Sequence, residues 1–525
     1  MSCSVDPAER SHRHLTRSAG LVAALLAADK LLGVVREAAV GQAFGASPAL
    51  DAYFAAFEIP EGLNAIVTGA ALTTALIPLL TEVIAQAGEA SDDANDVWRF
   101  VSTVVNWVSI VIGVAAIFAA IFARSIIVAV APGFADDPTL VTLATHLMRL
   151  VLIQTIIFSV STVITGTLQA HQHFFLPALA PVCYTLGRIF GVVMLAPRWG
   201  IFGLAWGGLT GAVAHLLIKL PWLLHRRATW VPTLYHPRLP RLLRLMLPRM
   251  MGMTVTYITF VLPTFFGSQL PSGAISAYEY AWKLMQLPET VLGTAVGIVA
   301  LPTLAEMATR KDQAALRRTF AWTLRLILAL SLPAAVGLVV LGRPLTTLVL
   351  QRGAFDAAAT DRVYWALQFL ALGLVTHSAL EVVARLFYAQ QDMWTPFWVA
   401  LGGLLLNASV GNWLLPSLAH GAIALANSLG AGFQVLCLLL IARYKLGGIE
   451  GRKLATSLLQ AGFASAVMAV AVMGAQSIWL SGGVTTRGIG GAAIGALVYT
   501  SVAVLVGSPE LRSLPGLLRS RLPRQ

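Results

Sequence analysis

Charged residues are scarce in this sequence. Aspartate, glutamate, lysine and arginine make up 11% of its 525 residues, where a soluble domain carries about 25%. So few charges cannot solvate a large water-facing surface, which excludes an ordinary soluble globular protein. Cysteine is scarcer still. Cys3, Cys183 and Cys437 stand far apart, in no CxxC and no metal-ligand spacing, so they read as apolar filler. The ten histidines show no ligand spacing either. His171 and His173 flank a loop and read as solvated. No Walker A sequence is present, which excludes direct coupling to ATP. No catalytic constellation stands out, and almost no loop is long enough to carry the acidic residues of a membrane glycosyltransferase. No enzyme activity, metal or cofactor is expected. No small-residue cleavage site follows the polar, basic stretch from Met1 to Ser18, so a removed signal peptide is not expected.

What is abundant is apolar: hydrophobic residues make up 57% of the chain. Long apolar runs recur from Leu21 to Val506, the pattern of a polytopic membrane protein. A span needs about 20 mostly apolar residues, because the hydrocarbon core is about 30 Å thick. The sequence predicts about fourteen spans. Six fill the first half, at about 19–44, 51–85, 97–128, 139–170, 175–196 and 200–224. Six fill the second, at about 244–268, 276–307, 317–350, 361–390, 395–416 and 420–443. Two follow, at about 454–480 and 488–508. Each must be helical, since lipid cannot satisfy open backbone groups. The expected fold is therefore all-α.

The net charge of +12 is distributed as a topology signal and not as a nucleic-acid patch, so no nucleic acid is expected. Arg10, Arg13 and Arg17 precede the first span. Arg226, Arg227, Arg238, Arg241, Arg244 and Arg249 follow the sixth. Arg310, Lys311, Arg317 and Arg318 follow the eighth. Arg443, Lys445, Arg452 and Lys453 follow the twelfth, and Arg512, Arg519, Arg521 and Arg524 close the chain. With fourteen spans all of these lie on one side, which the positive-inside rule makes cytoplasmic, with both termini. The acidic loop from Glu89 to Asp96 also falls inside, where acidic residues carry little weight. The opposite loops hold only scattered cations such as Arg198, Arg352 and Arg487.

The two six-span halves echo each other. Ala170-His-Gln-His-Phe-Phe-Leu-Pro177 resembles Ala389-Gln-Gln-Asp-Met-Trp-Thr-Pro396, with both alanines and both prolines at one common offset. Gly200-Ile-Phe-Gly-Leu-Ala205 resembles Gly421-Ala-Ile-Ala-Leu-Ala426 at nearly the same offset. Ala131-Pro-Gly-Phe134 precedes the fourth span and Arg352-Gly-Ala-Phe355 the tenth. An even number of spans per half makes this a parallel repeat about an axis along the membrane normal. The expected organisation is two pseudo-symmetric lobes, 1–228 and 229–447, followed by two C-terminal helices and a basic tail over 448–525.

A charge at mid-bilayer costs about 2.5–3.5 kcal/mol on insertion scales, so charges inside spans are functional candidates by default. Asp29, Lys30, Arg36 and Glu37 fall in one arc of about 120° on the first span. Such a stripe requires a wet cavity or paired partners. Asp51 and Glu58 share a face of the second span, followed by Pro60 and Glu61; the proline predicts a kink or a broken helix lining a cavity. The eighth span carries Glu279 and Lys283, an i,i+4 pair, and Pro288. Glu381, Arg385 and Asp392 lie within about 40° of one another on the tenth, and Glu381–Arg385 also suits a self-contained ion pair. Among the other cations in or near spans, Arg149, Arg188, Lys219 and Arg325, the last two suit snorkelling to an interface. Lys30, Arg36 and Lys283 are the substrate candidates, because cations in a low-dielectric cavity offer charge-assisted hydrogen bonds to a pyrophosphate.

Lys30-Leu-Leu-Gly-Val-Val-Arg36-Glu37, with Phe44-Gly45 and Asp51-Ala-Tyr-Phe-Ala-Ala-Phe-Glu-Ile-Pro60, resembles the opening of MurJ/MviN proteins. So do Ala131-Pro-Gly-Phe-Ala-Asp136, Pro177-Ala-Leu-Ala-Pro181, Ala281-Trp-Lys-Leu284 with Pro288, Gln351-Arg-Gly-Ala-Phe355, and Arg385-Leu-Phe-Tyr-Ala389 with Asp392, Thr395 and Pro396. These segments run through the first twelve spans in order. The resemblance implies a fourteen-span member of the MOP (MATE-like) exporter superfamily. It implies that lipid II, the peptidoglycan precursor, is flipped from the cytoplasmic to the periplasmic leaflet by alternating access, with the C-terminal spans forming a groove for the lipid tail.

Residue by residue, the resemblance maps Arg36 as the matching arginine, Glu37 in place of an aspartate, and Lys30 and Lys283 where arginine is usual. Asp51 matches the acidic residue opening span two. Glu58, Glu61, Glu279, Glu381, Arg385 and Asp392 are ion or gating candidates. The family's arginine after the span-two proline has no counterpart in Glu61-Gly-Leu-Asn64-Ala65, and an acidic residue is replaced around Thr68-Gly69. The implied partners are a lipid-linked pyrophosphate, membrane lipids and the cell-wall synthesis machinery, with the chain acting as a monomer. Energy would come from the membrane potential, worth about 2.3 kcal/mol per charge per 100 mV, or from an ion gradient. Other readings stay open: a flippase for another polyprenyl-linked oligosaccharide, a drug/cation antiporter, or a non-transporting paralogue.

Overall fold

In the computed structural model every element of the described residues, 7–87, 94–478 and 483–512, is helical. The loop residues 88–93, Cys3 and the C-terminal Arg519, Arg521 and Arg524 lie outside them. Eleven helices among the described residues are long and apolar enough to cross a membrane. The fold is thus an all-α polytopic membrane protein. It divides into two compact units: Met1–Gln269 with Arg352–Ala354, and Leu270–Gln351 with Phe355–Gln525.

The first unit contains α1 (Pro7–Phe44), α2 (Pro48–Val67), α3 (Ala70–Ala87), α4 (Ala94–Ile121), α5 (Ala123–Val130), α6 (Pro138–Ala170), α7 (Phe175–Phe190), α8 (Ala196–Trp199), α9 (Ile201–Leu217), α10 (Leu220–His225) and α11 (Leu239–Gly267). The stretch expected as one span over 51–85 is two helices. Pro60 sits inside α2 without ending it. The break falls at Thr68 and Gly69, whose amides both turn back to the Asn64 carbonyl at 2.9 Å. The Thr68 hydroxyl donates to the same oxygen, and competition of this kind ends a helix. Helix α11 packs on α2 and α3, and Leu239, Leu242 and Met246 join the apolar core around Leu76, Leu80 and Phe100.

Helices α7 and α9 meet through glycine. A Cβ on Gly187 would lie 2.3 Å from the Gly211 Cα, and one on Gly191 would lie 2.4 Å from the Gly207 Cα. Gly203, Gly207 and Gly211 recur every fourth residue, so one face of α9 is bare backbone and α7 lies directly on it. A π-helical turn, Gly191–Leu195, continues α7 into α8.

The second unit contains α12 (Ala274–Glu289), α13 (Ala295–Thr309), α14 (Gln313–Leu350), α15 (Ala357–Ala389), α16 (Trp394–Leu418), α17 (His420–Lys445), α18 (Gly451–Ile478) and α19 (Gly491–Leu505). Pro288 lies in the last turn of α12, and a π-helical turn, Thr290–Thr294, leads on into α13. Helix α15 is central, packing against α12, α13, α14 and α17. Val382, Val383, Leu386 and Phe387 are buried there against Phe320 and Ile327 of α14. Helices α18 and α19 pack on α14 through Leu341, Met468, Val472 and Tyr499.

Candidate functional site

In the first unit a polar cluster gathers on α1, α2, α6 and α7. Arg36 and Glu37 form an ion pair at 2.6 Å, with 17% and 12% of their side chains exposed. Arg36 donates through both Nε (3.0 Å) and a terminal nitrogen to the same Glu37 oxygen. Two turns earlier on α1, Asp29 accepts a 2.8 Å hydrogen bond from the Thr185 hydroxyl of α7. Three residues on, and so on the same face of α7, Arg188 donates to the Tyr53 hydroxyl of α2 at 3.2 Å. Its guanidinium also lies 5.9 Å from the Phe57 ring centre and 5.8 Å from that of Tyr184, within cation–π range. Glu37 is within electrostatic reach of Arg188, and Arg36 within reach of the Tyr53 hydroxyl. Gln154 of α6 completes the group by donating to the Tyr184 hydroxyl at 2.9 Å.

The remaining first-unit candidates divide. Lys30 is exposed. Asp51 is buried, in the first turn of α2 behind the Ser47 cap, where a carboxylate meets the positive end of the helix dipole. Glu58 ties α2 to α11. Its carboxylate accepts from the Thr264 hydroxyl at 2.5 Å, and its carbonyl accepts from the Tyr257 hydroxyl. Glu61 is exposed.

In the second unit Lys283 and Glu279 stand 4.0 Å apart, both about a quarter exposed. The Lys283 ammonium is 5.7 Å from the centre of the Tyr280 ring. Next to it, the Trp282 ring meets the His377 ring edge-on at 5.4 Å, and His377 Nε2 lies 2.9 Å from the side-chain amide oxygen of Asn427. Arg385 pairs with Glu381 at 2.6 Å. Gly297 of α13 leaves the space its guanidinium occupies, since a Cβ there would lie 1.7 Å from it. Asp392 belongs to a helix junction. It accepts from the Thr395 amide (3.0 Å) and hydroxyl (2.6 Å) at the start of α16, and from Lys445 at 2.5 Å. Burial alone would raise the Asp392 carboxyl, but the hydrogen bonds from Lys445 and Thr395 outweigh it and hold it at about 2.

Two cations expected to snorkel do not. Lys219 is fully buried. Its ammonium donates to the Ser161 carbonyl (2.9 Å), the Ser161 hydroxyl (2.8 Å) and the Thr165 hydroxyl (2.7 Å), and lies 3.3 Å from His215 Nδ1. The hydroxyls of α6 replace water, so the side chain has no reason to reach the interface. Arg325 of α14 pairs with the buried Glu510 at 3.2 Å, which fixes the segment after α19 to α14. Conversely, Arg188, Tyr53 and Thr185 were not among the sequence's substrate candidates. A mid-span arginine three residues from a threonine on one helix face was the available signal.

No group of three or more potential metal ligands occurs among the described residues. The clusters offer cations, hydroxyls and aromatic faces, which suit binding and release of an anionic headgroup.

A family model described as lipid II flippase MurJ matches residues 40–489. That range holds the candidates from Asp51 to Asp392, while Lys30, Arg36 and Glu37 precede it. The lipid II flippase MurJ of Burkholderia cenocepacia is 31% identical over 422 residues, covering 78% of this chain and 80% of that protein. The probable lipid II flippase MurJ of Rhizobium tropici is 29% identical over 522 residues, covering 95% and 94%. Among solved structures, lipid II flippase MurJ in an inward closed conformation superposes with a TM-score of 0.77 at 23% identity, covering 94% of this chain and 99% of that one. An inward-facing multidrug resistance MATE family transporter of the MOP superfamily superposes with a TM-score of 0.66 at 16% identity, covering 81% and 96%. These two likenesses concern the fold.

Proposed function

The chain belongs to the MurJ lipid II flippase family of the MOP superfamily, and from that premise we propose that it moves lipid II from the cytoplasmic to the periplasmic leaflet of the bacterial inner membrane. It is a transporter and makes or breaks no covalent bond. The observation that carries this reading is the family match across residues 40–489.

The geometry supports it. A polyprenyl-pyrophosphate needs cations that are held inside an apolar bundle yet not consumed by it. Arg36 has one carboxylate partner, Glu37. That pair is electrically balanced and leaves guanidinium donors for phosphate oxygens. Lys30, Arg36, Glu37 and Asp51 of the first unit and Lys283 of the second form the proposed substrate set. Glu58, Glu61, Glu279, Glu381, Arg385 and Asp392 form the proposed coupling and gating set, driven by the membrane potential or an ion gradient through alternating access. The proposed topology has about fourteen spans with both termini cytoplasmic. The proposed transport lobes are 1–228 and 229–447, with 448–525 bordering the lipid tail. The protein acts as a monomer beside the cell-wall synthesis machinery.

The test is translocation of labelled lipid II in reconstituted vesicles. Wild type is expected to flip the label, and Arg36→Ala to lose about tenfold or more, the scale of a charge-assisted contact. Absence of flipping by wild type, with flipping of another polyprenyl-pyrophosphate oligosaccharide in the same vesicles, would move the cargo and keep the mechanism. Absence of both would end the transport reading.

A further inference from the structure

We propose that Arg188 of α7 is a direct ligand of the lipid's pyrophosphate, acting beside Arg36; this rests on the flippase reading above. A guanidinium carries five N–H groups and accepts nothing. Among the described residues Arg188 makes one hydrogen bond, to the Tyr53 hydroxyl. Its Nε is shut off from solvent with no hydrogen-bond partner. No carboxylate pairs with it among the described residues: the ion pair beside it on α1 joins Arg36 to Glu37 instead.

Arg188 is half-buried, a cation with unused donors in an apolar bundle is costly to keep, and a bound anion supplies the missing acceptors. The surroundings fit that use. The rings of Phe57 and Tyr184 flank the guanidinium and restrict it to its plane without neutralising it. Gly187, beside it in sequence, fixes α7 on the backbone of α9, so the arginine sits on a rigid helix. Thr185 on the same face is engaged with Asp29 of α1, and Arg36 lies two turns further along α1. Two guanidiniums of one unit thus converge on a site that takes an anion with several oxygens, as a pyrophosphate diester has. A planar fork on Arg188 binds two of those oxygens at once, which a lysine cannot do.

The experiment uses the full chain in lipid nanodiscs, with lipid II and a short-chain polyprenyl pyrophosphate as probes and the neutral polyprenol as control. Wild type is expected to bind both pyrophosphates and not the alcohol. Arg188→Gln is expected to lose about tenfold or more in affinity for both probes, with the thermal midpoint of the empty protein unchanged or raised. Arg188→Lys, which keeps the charge and the fold, is expected to fall between them and decides the matter should the glutamine variant not fold. Tyr53→Phe removes the arginine's hydroxyl acceptor but leaves the guanidinium in place, and is expected to lose far less affinity than Arg188→Gln. If Arg188 were only a tie between α7 and α2, Tyr53→Phe would behave as Arg188→Gln does. Wild-type affinity in both Arg188 variants, or matching losses in Tyr53→Phe and Arg188→Gln, overturns the inference while the flippase reading stands. Failure of wild type to bind either pyrophosphate overturns both.

Discussion

Lys219 and Arg188 are cations of the same unit, the first fully buried and the second half-buried, and their neighbours treat them in opposite ways. Lys219 is surrounded: a carbonyl and two hydroxyls of α6 take its protons, and His215 stands beside it. Those acceptors are themselves linked, since the Thr165 hydroxyl donates to the Ser161 carbonyl at 3.0 Å and the Ser161 hydroxyl lies 2.7 Å from His215 Nδ1. Arg188 has one acceptor among the described residues, and aromatic walls. A saturated cation is part of the architecture, joining α6 to the end of α9. An unsaturated one is held ready for something that comes and goes. Charge inside a span therefore does not identify a binding residue by itself; the count of satisfied donors does.

The sharpest way to break this contrast is to starve Lys219. Ser161→Ala with Thr165→Val strips two of its acceptors and is expected to cost about 3–5 kcal/mol, the scale for a buried charge left short of partners. Adding Lys219→Met removes the stranded charge and is expected to restore most of that loss, since an apolar side chain of similar length suits the site. A double variant as stable in thermal unfolding as wild type would show that Lys219 is not held by these hydroxyls.

A smaller effect is expected beside Arg188. Gly187→Ala drives a methyl into the backbone at Gly211, at a cost of about 1–3 kcal/mol for overpacking. It also displaces the helix that presents the arginine. Affinity for a polyprenyl pyrophosphate should fall along with stability, and the same substitution at Gly113, which has open space around its Cβ, should change neither.

The smallest effect is expected at Asp392, a saturated anion to set beside the saturated cation. Its carboxyl, held at about 2 against an ordinary value of 3.8, contributes stability that is complete above about pH 4 and lost as pH falls through 2. Asp392→Asn should cost about 1 kcal/mol at neutral pH, as for a lost helix cap, and should flatten the decline in stability between pH 4 and 2. An unchanged acid profile would show that the Lys445 and Thr395 contacts do not matter energetically.

The sequence made the membrane class legible because lipid imposes one rule on every span. It also revealed local charge geometry: Glu381 with Arg385 and Glu279 with Lys283 are near neighbours on one helix, as an i,i+4 spacing requires. It misled at Lys219, because the hydroxyls that hold that lysine come from another helix, and snorkelling is the default when no partner is in view. It passed over the break at Thr68 in favour of Pro60, the more familiar helix breaker, since two amides sharing the Asn64 carbonyl leave no pattern in composition. Arg188 was visible only as a cation near a span. What distinguishes it is a partner it lacks, and a missing contact between helices has no one-dimensional signature.

The seam between α7 and α9 has a mechanical consequence. Helices that touch through side chains can absorb displacement by changing rotamers; two bare backbones in contact have no such slack. Any rearrangement of the first unit must carry these two helices as one stiff plank, with the guanidinium fastened to it like a fitting bolted to a beam.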